Sequence, residues 1–127
     1  MKFLKTWLSL SISLFLDSEE TVHVNAAVGD RATLPCEAET REEVDWRFRN
    51  ASHPNLEAVW NLNTIVNGYK ERFTIETNAV GTYNLVIFPV HLKDSGIYNC
   101  VEGSFGKVHR VILTVYLSKC FQCLCSH

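Results

Sequence analysis

The chain has 127 residues, a hydrophobic fraction of 46% and a formal net charge of -2 at pH 7. This length accommodates one domain of ordinary size, and this hydrophobic fraction excludes wholesale disorder. Lysines and arginines are scattered without a basic run or stripe, so the sequence gives no electrostatic case for nucleic-acid binding.

The N-terminal segment has the features of a secretory signal peptide. Two early lysines form a small positive region, and the apolar-rich WLSLSISLFL follows at residues 7–16. This segment is too short to cross a bilayer as a helix but has the length of a signal-peptide core. Cleavage after Ser18 is expected, which gives a signal peptide over residues 1–18 and a mature start near Glu19. The alternative is an amphipathic N-terminal helix that docks on the domain.

Short runs of strand-like composition, separated by turn residues, make up the rest of the domain. In chain order they are TVHVNAAV (21–28), RATLPCEA (31–38), EVDWRF (43–48), LEAVWNL (56–62), TIVNGYK (64–70), RFTIET (72–77), TYNLVIF (82–88), GIYNCVE (96–102) and KVHRVILTVY (107–116). Eight or nine short strands at this spacing indicate an antiparallel sandwich or barrel. A parallel α/β sheet would need helices between the strands, and the sequence indicates none. We therefore predict an all-β fold.

Several motifs lie at characteristic distances along these strands. GDRATLPC ends in Cys36, Trp46 stands ten residues later, and ERFTI contains Arg72. The stretch YNLVIFPVHLKDSGIYNC, residues 83–100, ends in the pattern D-x-G-x-Y-x-C. In this order and at this spacing, the motifs resemble those of a variable-type immunoglobulin domain.

Two departures limit what the resemblance implies. Antigen-receptor variable domains carry an F-G-x-G joining motif in the last strand, whereas FGKVHRVILTV has Phe105 and Gly106 but no second glycine. The connection before this strand is also short for a diversified binding loop. The chain therefore resembles a non-rearranging receptor or adhesion domain more than an antigen-receptor chain.

The resemblance implies a fold and a set of framework residues. It implies an antiparallel β-sandwich of about nine strands over residues 19–117, with one inter-sheet disulfide between Cys36 and Cys100. The other framework residues that it implies are Trp46, Arg72, Asp94 and Tyr98. In this family the tryptophan packs against the disulfide, the arginine pairs with the aspartate, and the tyrosine hydroxyl bonds upstream backbone.

The resemblance also implies extracellular protein recognition, in cell-surface recognition, adhesion or immune regulation. A protein partner is expected on a sheet face or on the end loops, and the domain could form a homodimer or heterodimer. The candidate partner-binding residues are Arg47, Trp60, Ile97, Asn99 and Ile112. No later segment reaches eighteen apolar residues, so no transmembrane anchor is expected. We expect a secreted binder or the truncated ectodomain of a receptor on the extracellular side of the plasma membrane.

Chemical motifs are few. Asn50, in N-A-S, is an N-glycosylation sequon within a predicted exposed turn. The five histidines fall on different predicted elements, and H-E-x-x-H, G-x-S-x-G and glycine-rich phosphate loops are absent from the sequence. We therefore expect no enzyme activity, no cofactor and no metal site in the domain.

The C-terminal tail, residues 118–127, falls outside the family pattern. It contains Cys120, Cys123 and Cys125, and the odd total of five cysteines leaves at least one without an internal partner. One alternative is an interchain disulfide that makes the chain a structural subunit of a larger receptor complex. Metal binding with His127 and lipidation are two others. The last is a tail produced by splicing or an incomplete gene model.

Overall fold

A computed structural model describes residues 21–39, 43–61, 63–78, 80–103 and 107–118. The described chain forms nine β-strands and one short 3₁₀ turn, Leu92–Asp94, which confirms the predicted all-β fold. The strands are β1 (Thr21–Ala27), β2 (Ala32–Leu34), β3 (Val44–Arg49), β4 (Glu57–Asn61), β5 (Thr64–Ile65), β6 (Phe73–Thr77), β7 (Tyr83–Ile87), β8 (Gly96–Glu102) and β9 (Val108–Tyr116).

These strands form two sheets. One has six strands in the order β1-β9-β8-β3-β4-β5, and the other has three in the order β2-β7-β6. The β1–β9 pair is parallel and the other strand pairs are antiparallel. The two sheets bury their apolar faces against each other, as a sandwich requires.

Two strands are shorter than the sequence predicts. The run 31–38 forms a strand only over Ala32–Leu34, where Pro35 follows and has no N–H to donate to a ladder. The run 64–70 forms only the two-residue strand Thr64–Ile65, because the chain then turns through Gly68 with φ at 99°. The second prediction included turn residues in a strand, whereas the first run continues past Pro35 as an irregular segment with one isolated bridge, between Glu37 and Thr82.

The core is centred on the disulfide. Cys36, just after β2, and Cys100, in β8, join the two sheets with their Cα atoms 6.3 Å apart. In the chain-entropy model, closing a loop of this length contributes roughly 4 kcal/mol. Trp46 in β3 is fully buried, and its indole N–H donates to the backbone oxygen of Tyr83 in the opposite sheet at 2.8 Å. A disulfide and a hydrogen bond thus both cross between the sheets.

Polar contacts close one end of the sandwich around the 3₁₀ turn. The Arg72 guanidinium donates to both carboxylate oxygens of Asp94, at 2.6 and 3.0 Å, and this hydrogen bonding raises the arginine pKa. The Tyr98 hydroxyl donates to the backbone oxygen of Asp94 at 2.6 Å, and burial raises the pKa of this hydroxyl. The carboxylate also accepts the backbone N–H of His91 at 2.7 Å. Asp94 is therefore buried with its charge paired.

Gly96 gives β8 the space to approach β3. A Cβ atom at this position would lie 2.5 Å from the backbone oxygen of Arg49 and 2.7 Å from the Phe48 ring. Both distances are shorter than van der Waals contact, so the strands could pair here only after a shift. A residue without a side chain therefore permits the close β3–β8 pairing that positions the neighbouring outward residues.

Candidate functional site

The outer face is the surface of the six-stranded sheet that points away from the disulfide. Side chains alternate across a strand, so the outward residues of β3, β8 and β9 interleave with buried ones. They are Asp45, Arg47, Arg49, Ile97, Asn99, Val101, Val108, Arg110 and Ile112. All nine are exposed or half-buried, whereas the inward residues between them in β8, Tyr98 and Cys100, are fully buried. We refer to these nine residues as the outer face.

Strand register arranges the outer face in three rows. The central row joins Arg47, Asn99 and Arg110, which are direct partners across β3, β8 and β9. On one side lies the row Arg49, Ile97 and Ile112, and on the other lies the row Asp45, Val101 and Val108. Cross-strand neighbours on one face are in contact range, so each row acts as a unit of the surface.

The apolar part of the outer face consists of three half-buried residues and one exposed residue, Val108. Ile97 and Ile112 are direct cross-strand partners, and each shields part of the other from water. Val108 is 39% exposed and pairs with Val101 in the third row. These contacts place apolar surface on both sides of the polar central row.

The polar part of the outer face is dominated by arginine. Arg47 lies 3.4 Å from Asp45, and both side chains are accessible to solvent. An exposed pair at this distance contributes little to stability. Arg49 and Arg110 form no ion pair with any acid of the described chain. The face therefore presents guanidinium groups that remain available to a partner.

Asn99 lies at the centre of this face and has an unusual environment. Its side-chain Oδ1 is buried and accepts no hydrogen bond within the described residues. A buried polar atom without a partner is costly, because it has lost its water without a replacement. Because this oxygen is closed to solvent, a partner's donor could reach it only if the neighbouring side chains moved.

Four of the five sequence-predicted binding residues meet on the outer face, and the fifth does not. Arg47, Ile97, Asn99 and Ile112 lie together, but Trp60 is only 6% exposed. It pairs directly with Trp46 across β3 and β4, and its ring centroid lies 5.8 Å from that of Tyr83. Because direct cross-strand partners point to the same face, Trp60 points into the core. The expectation that Trp60 is a surface contact was wrong.

The family model for the immunoglobulin V-set domain matches residues 18–116. The chain belongs to the immunoglobulin V-set family. This membership confirms the family suggested by the sequence motifs. No curated protein sequence is significantly similar to the chain.

Solved structures resemble this V-set domain in fold. The second immunoglobulin domain of the mouse polymeric immunoglobulin receptor is 18% identical, with a TM-score of 0.68 over 79% of this chain and 100% of that chain. The extracellular domains of the voltage-gated sodium channel beta4 subunit, described as parallel homodimers with a role in cell-cell adhesion, are 17% identical, with a TM-score of 0.59 over 77% and 87%. Dpr1 IG1 bound to DIP-eta IG1 is 18% identical, with a TM-score of 0.62 over 76% and 91%. At these identities the likeness shows the fold alone.

The sequon residue of the V-set domain lies immediately after β3. The Asn50 Nδ2 donates to the backbone oxygen of Lys93 at 3.2 Å, and the Oδ1 accepts the backbone N–H of His53 at 2.7 Å. Asn50 is half-buried, and the neighbouring Ala51 and Ser52 are exposed. The sequon therefore lies at the end of the sandwich that holds the 3₁₀ turn, away from the β8–β9 connection.

The sequence interpretation missed a buried ionisable pair near the β8–β9 connection. Glu102 is fully buried, and its Oε2 lies 2.5 Å from the Nε2 of His109. The other carboxylate oxygen accepts the backbone N–H of Glu39 at 3.0 Å. Strand parity could have identified Glu102 as inward-facing, because it shares its side of β8 with Tyr98 and Cys100. No sequence signal identified its partner.

The remaining site predictions lie partly outside the described residues. The residues outside the described ranges include the rest of the tail beyond Ser118, with Cys120, Cys123 and Cys125, as well as the predicted signal peptide and the Phe105-Gly106 pair. Within the described ranges, no group of three or more histidine, cysteine or acidic side chains is arranged to hold a metal ion. The same ranges contain no helix that is long and apolar enough to cross a membrane.

Proposed function

We propose that this V-set domain is an extracellular protein-recognition module that binds a protein partner through its outer face. The observation that carries this proposal is the composition of that face, in which half-buried aliphatic residues alternate with arginines. Protein interfaces combine apolar area with arginine and with few other charged residues. The role fits cell-surface recognition, adhesion or immune regulation, as a secreted form or as the ectodomain of a receptor.

The structural neighbours support this proposal by analogy. The beta4 extracellular domains form homodimers and Dpr1 IG1 binds DIP-eta IG1, so the same sandwich serves both self-association and heterophilic binding. A fold does not fix a function, and the argument for this chain therefore rests on its own outer face. Occupancy of Asn50 by a glycan is part of the proposal. The sequon lies at one end of the sandwich beside Arg49 and Ile97 of the outer face, so a glycan there would restrict the approach of a partner from that end.

Binding measurements with a truncated outer face test the proposal. The multimerised chain, the variant I97A/I112A and the control Val80→Ala are applied to an array of purified extracellular domains from the same species. Val80 is apolar, 81% exposed and located in the β6–β7 turn of the other sheet. We expect a partner that binds wild type and the control and binds the double variant about tenfold or more weakly, because central apolar contacts dominate interface energies. Unchanged binding of the double variant would refute the proposal.

The second candidate is a disulfide-linked subunit of a larger receptor complex. It is favoured by the cysteine count, since the Cys36–Cys100 bridge uses two of five cysteines. Comparing the mass of the secreted protein with and without reductant tests it. A higher mass that collapses on reduction, and that is lost when the three tail cysteines are replaced by serine, supports covalent assembly. A monomer under both conditions eliminates it.

A further inference from the structure

We propose that the outer face binds an acidic surface on a different protein, rather than a second copy of this chain. This inference rests on the proposed function, since it presumes that the outer face is the contact surface. It adds the chemistry of the partner and the mode of association.

Charge on the outer face has the opposite sign to the charge of the chain. Three arginines stand against one aspartate among its nine residues, a net of +2, whereas the whole chain carries a formal net charge of -2. Glu102 directly follows Val101 in sequence but is fully buried on the inward side of β8, and Glu43 precedes β3 at the rim of the face. Positive charge is therefore concentrated on the outer face, although the chain as a whole is acidic. Such a patch attracts and orients an acidic partner over about one Debye length, roughly 8 Å at physiological salt.

The central row has the geometry to hold carboxylates. Arg47 and Arg110 occupy the strands on either side of Asn99, so their Cα atoms are two strand spacings apart, about 10 Å. Guanidinium groups bind carboxylates through two parallel hydrogen bonds, and such bonds are stronger than neutral ones. A partner with two acidic side chains at a matching separation could bind both arginines.

Self-association through this face is disfavoured by the same charges. In a two-fold symmetric dimer each surface patch meets its own copy, and residues near the axis face themselves. The central row would then bring arginines of one copy close to arginines of the other. Asp45 is the only acid on each outer face, so it could offset at most one of the three arginines opposite. Like charges brought together in an interface cost affinity.

A sulfated polysaccharide would satisfy the charge of the face but not its apolar surface. Ile97, Val101 and Ile112 lie directly beside the arginines, on β8 and β9. A polysaccharide would leave these aliphatic side chains without complementary apolar groups. An acidic protein surface supplies both carboxylates and apolar contacts, and so fits the whole face.

The experiment compares charge reversal on and off the face. The variant R47E/R110E and the control K70E/K93E change the net charge equally, and the two lysines of the control are exposed outside the nine residues of the face. Binding is measured at 50 and 300 mM NaCl against the partners found on the extracellular-domain array, against heparin, and against the chain itself. Thermal unfolding of each variant verifies that it folds.

We expect an acidic protein partner whose affinity falls about tenfold between the two salt concentrations. The variant R47E/R110E should bind this partner at least about thirtyfold more weakly, and K70E/K93E within about threefold of wild type. The wild-type chain should sediment as a monomer and should bind heparin more weakly than it binds the protein partner.

Three results would overturn the inference. The first is self-association that R47E/R110E abolishes, and the second is heparin binding that is tighter than any protein binding. The third is a protein affinity that changes neither with salt concentration nor with R47E/R110E. Failure of this inference differs from failure of the proposed function. If I97A/I112A abolishes binding while R47E/R110E does not, the face is the contact surface but charge does not select the partner. If neither variant affects binding, or no array protein binds, both proposals fail.

Discussion

The phenol ring of Tyr98 is buried in the core, and its hydroxyl donates a hydrogen bond to the backbone oxygen of Asp94 at 2.6 Å. The same aspartate holds Arg72 through both of its carboxylate oxygens. One strand end, one 3₁₀ turn and the start of β6 are therefore joined by three side chains. These contacts fix where β8 begins and hence which of its residues point outward.

The residue-scale prediction concerns Tyr98→Phe, which removes only the hydroxyl. At pH 7 the variant should be less stable by about 1 kcal/mol, because the hydrogen bond to Asp94 is lost. Burial raises the pKa of Tyr98, so the folded protein keeps the proton that the unfolded chain releases above about pH 10. Wild type should therefore lose stability there by about 1.4 kcal/mol per pH unit from this group, and the variant should not.

Urea unfolding of both proteins at pH 7, 9 and 11 measures this effect. The stability difference should be constant up to pH 9 and should shrink or reverse by pH 11. Tyr69, whose pKa is also raised by burial, is present in both proteins and cancels in the comparison. A difference that stays the same at all three pH values would show that the Tyr98 hydroxyl does not titrate as its burial requires.

At the scale of the strands, local sequence patterns predicted which residues alternate between the two faces of one strand. They did not predict the register between two neighbouring strands. The run GIYNCVE was predicted as a strand and forms β8 over the same residues, with the alternation that period two requires. In LEAVWNL two adjacent apolar residues, Val59 and Trp60, left the inward side ambiguous, and both are buried. The register between β3 and β4 shifts after Trp46, and this shift determines which β4 residues point inward. No local sequence pattern predicts such a bulge here.

The Glu102–His109 pair gives the element-scale prediction, because it joins β8 to β9 inside the sandwich. His109→Leu should cost about 3 kcal/mol of stability, since it leaves a buried carboxylate without its ring partner. The double variant Glu102→Leu with His109→Leu should lose less than the sum of the two single variants. Apolar residues of similar size often replace a buried ionic pair at little cost.

A double-mutant cycle by urea unfolding checks the coupling. We expect an interaction energy of at least about 1 kcal/mol between the two positions. The exposed residue Thr74, on β6 of the other sheet, offers a control in which Thr74→Leu with His109→Leu should be additive. Additive effects of the Glu102 and His109 substitutions would mean that the pair does not stabilise the β8–β9 hairpin.

For the molecule as a whole, the framework and the proposed recognition surface occupy opposite sides of the same strands. Cys100 and Trp46 face inward and hold the two sheets together, while Asn99 and Arg47 face outward between them. The framework was predictable because its residues carry family motifs at fixed spacing. The proposed partner surface follows from the sequence only as the complement of that framework, and its arginine-rich central row became visible once the strand register was known.

The whole-molecule prediction uses a glycan as a steric block to test the location of the contact surface. Ile112→Asn creates an N-x-T sequon with Leu113 and Thr114 on the outer face. Val80→Asn creates another with Gly81 and Thr82, in the β6–β7 turn of the other sheet. Mass measurement before and after glycan removal establishes that each new site is occupied, and thermal unfolding establishes that each protein folds.

The affinity of these two glycosylated proteins for the partner found on the extracellular-domain array is the most direct measurement. We predict that a glycan at position 112 abolishes detectable binding, because it fills the space in front of β8 and β9. A glycan at position 80 should leave the affinity within about twofold of wild type, since the contact surface lies on the other sheet. Full binding by the Ile112→Asn glycoprotein, or loss of binding by the Val80→Asn glycoprotein, would contradict recognition through the outer face.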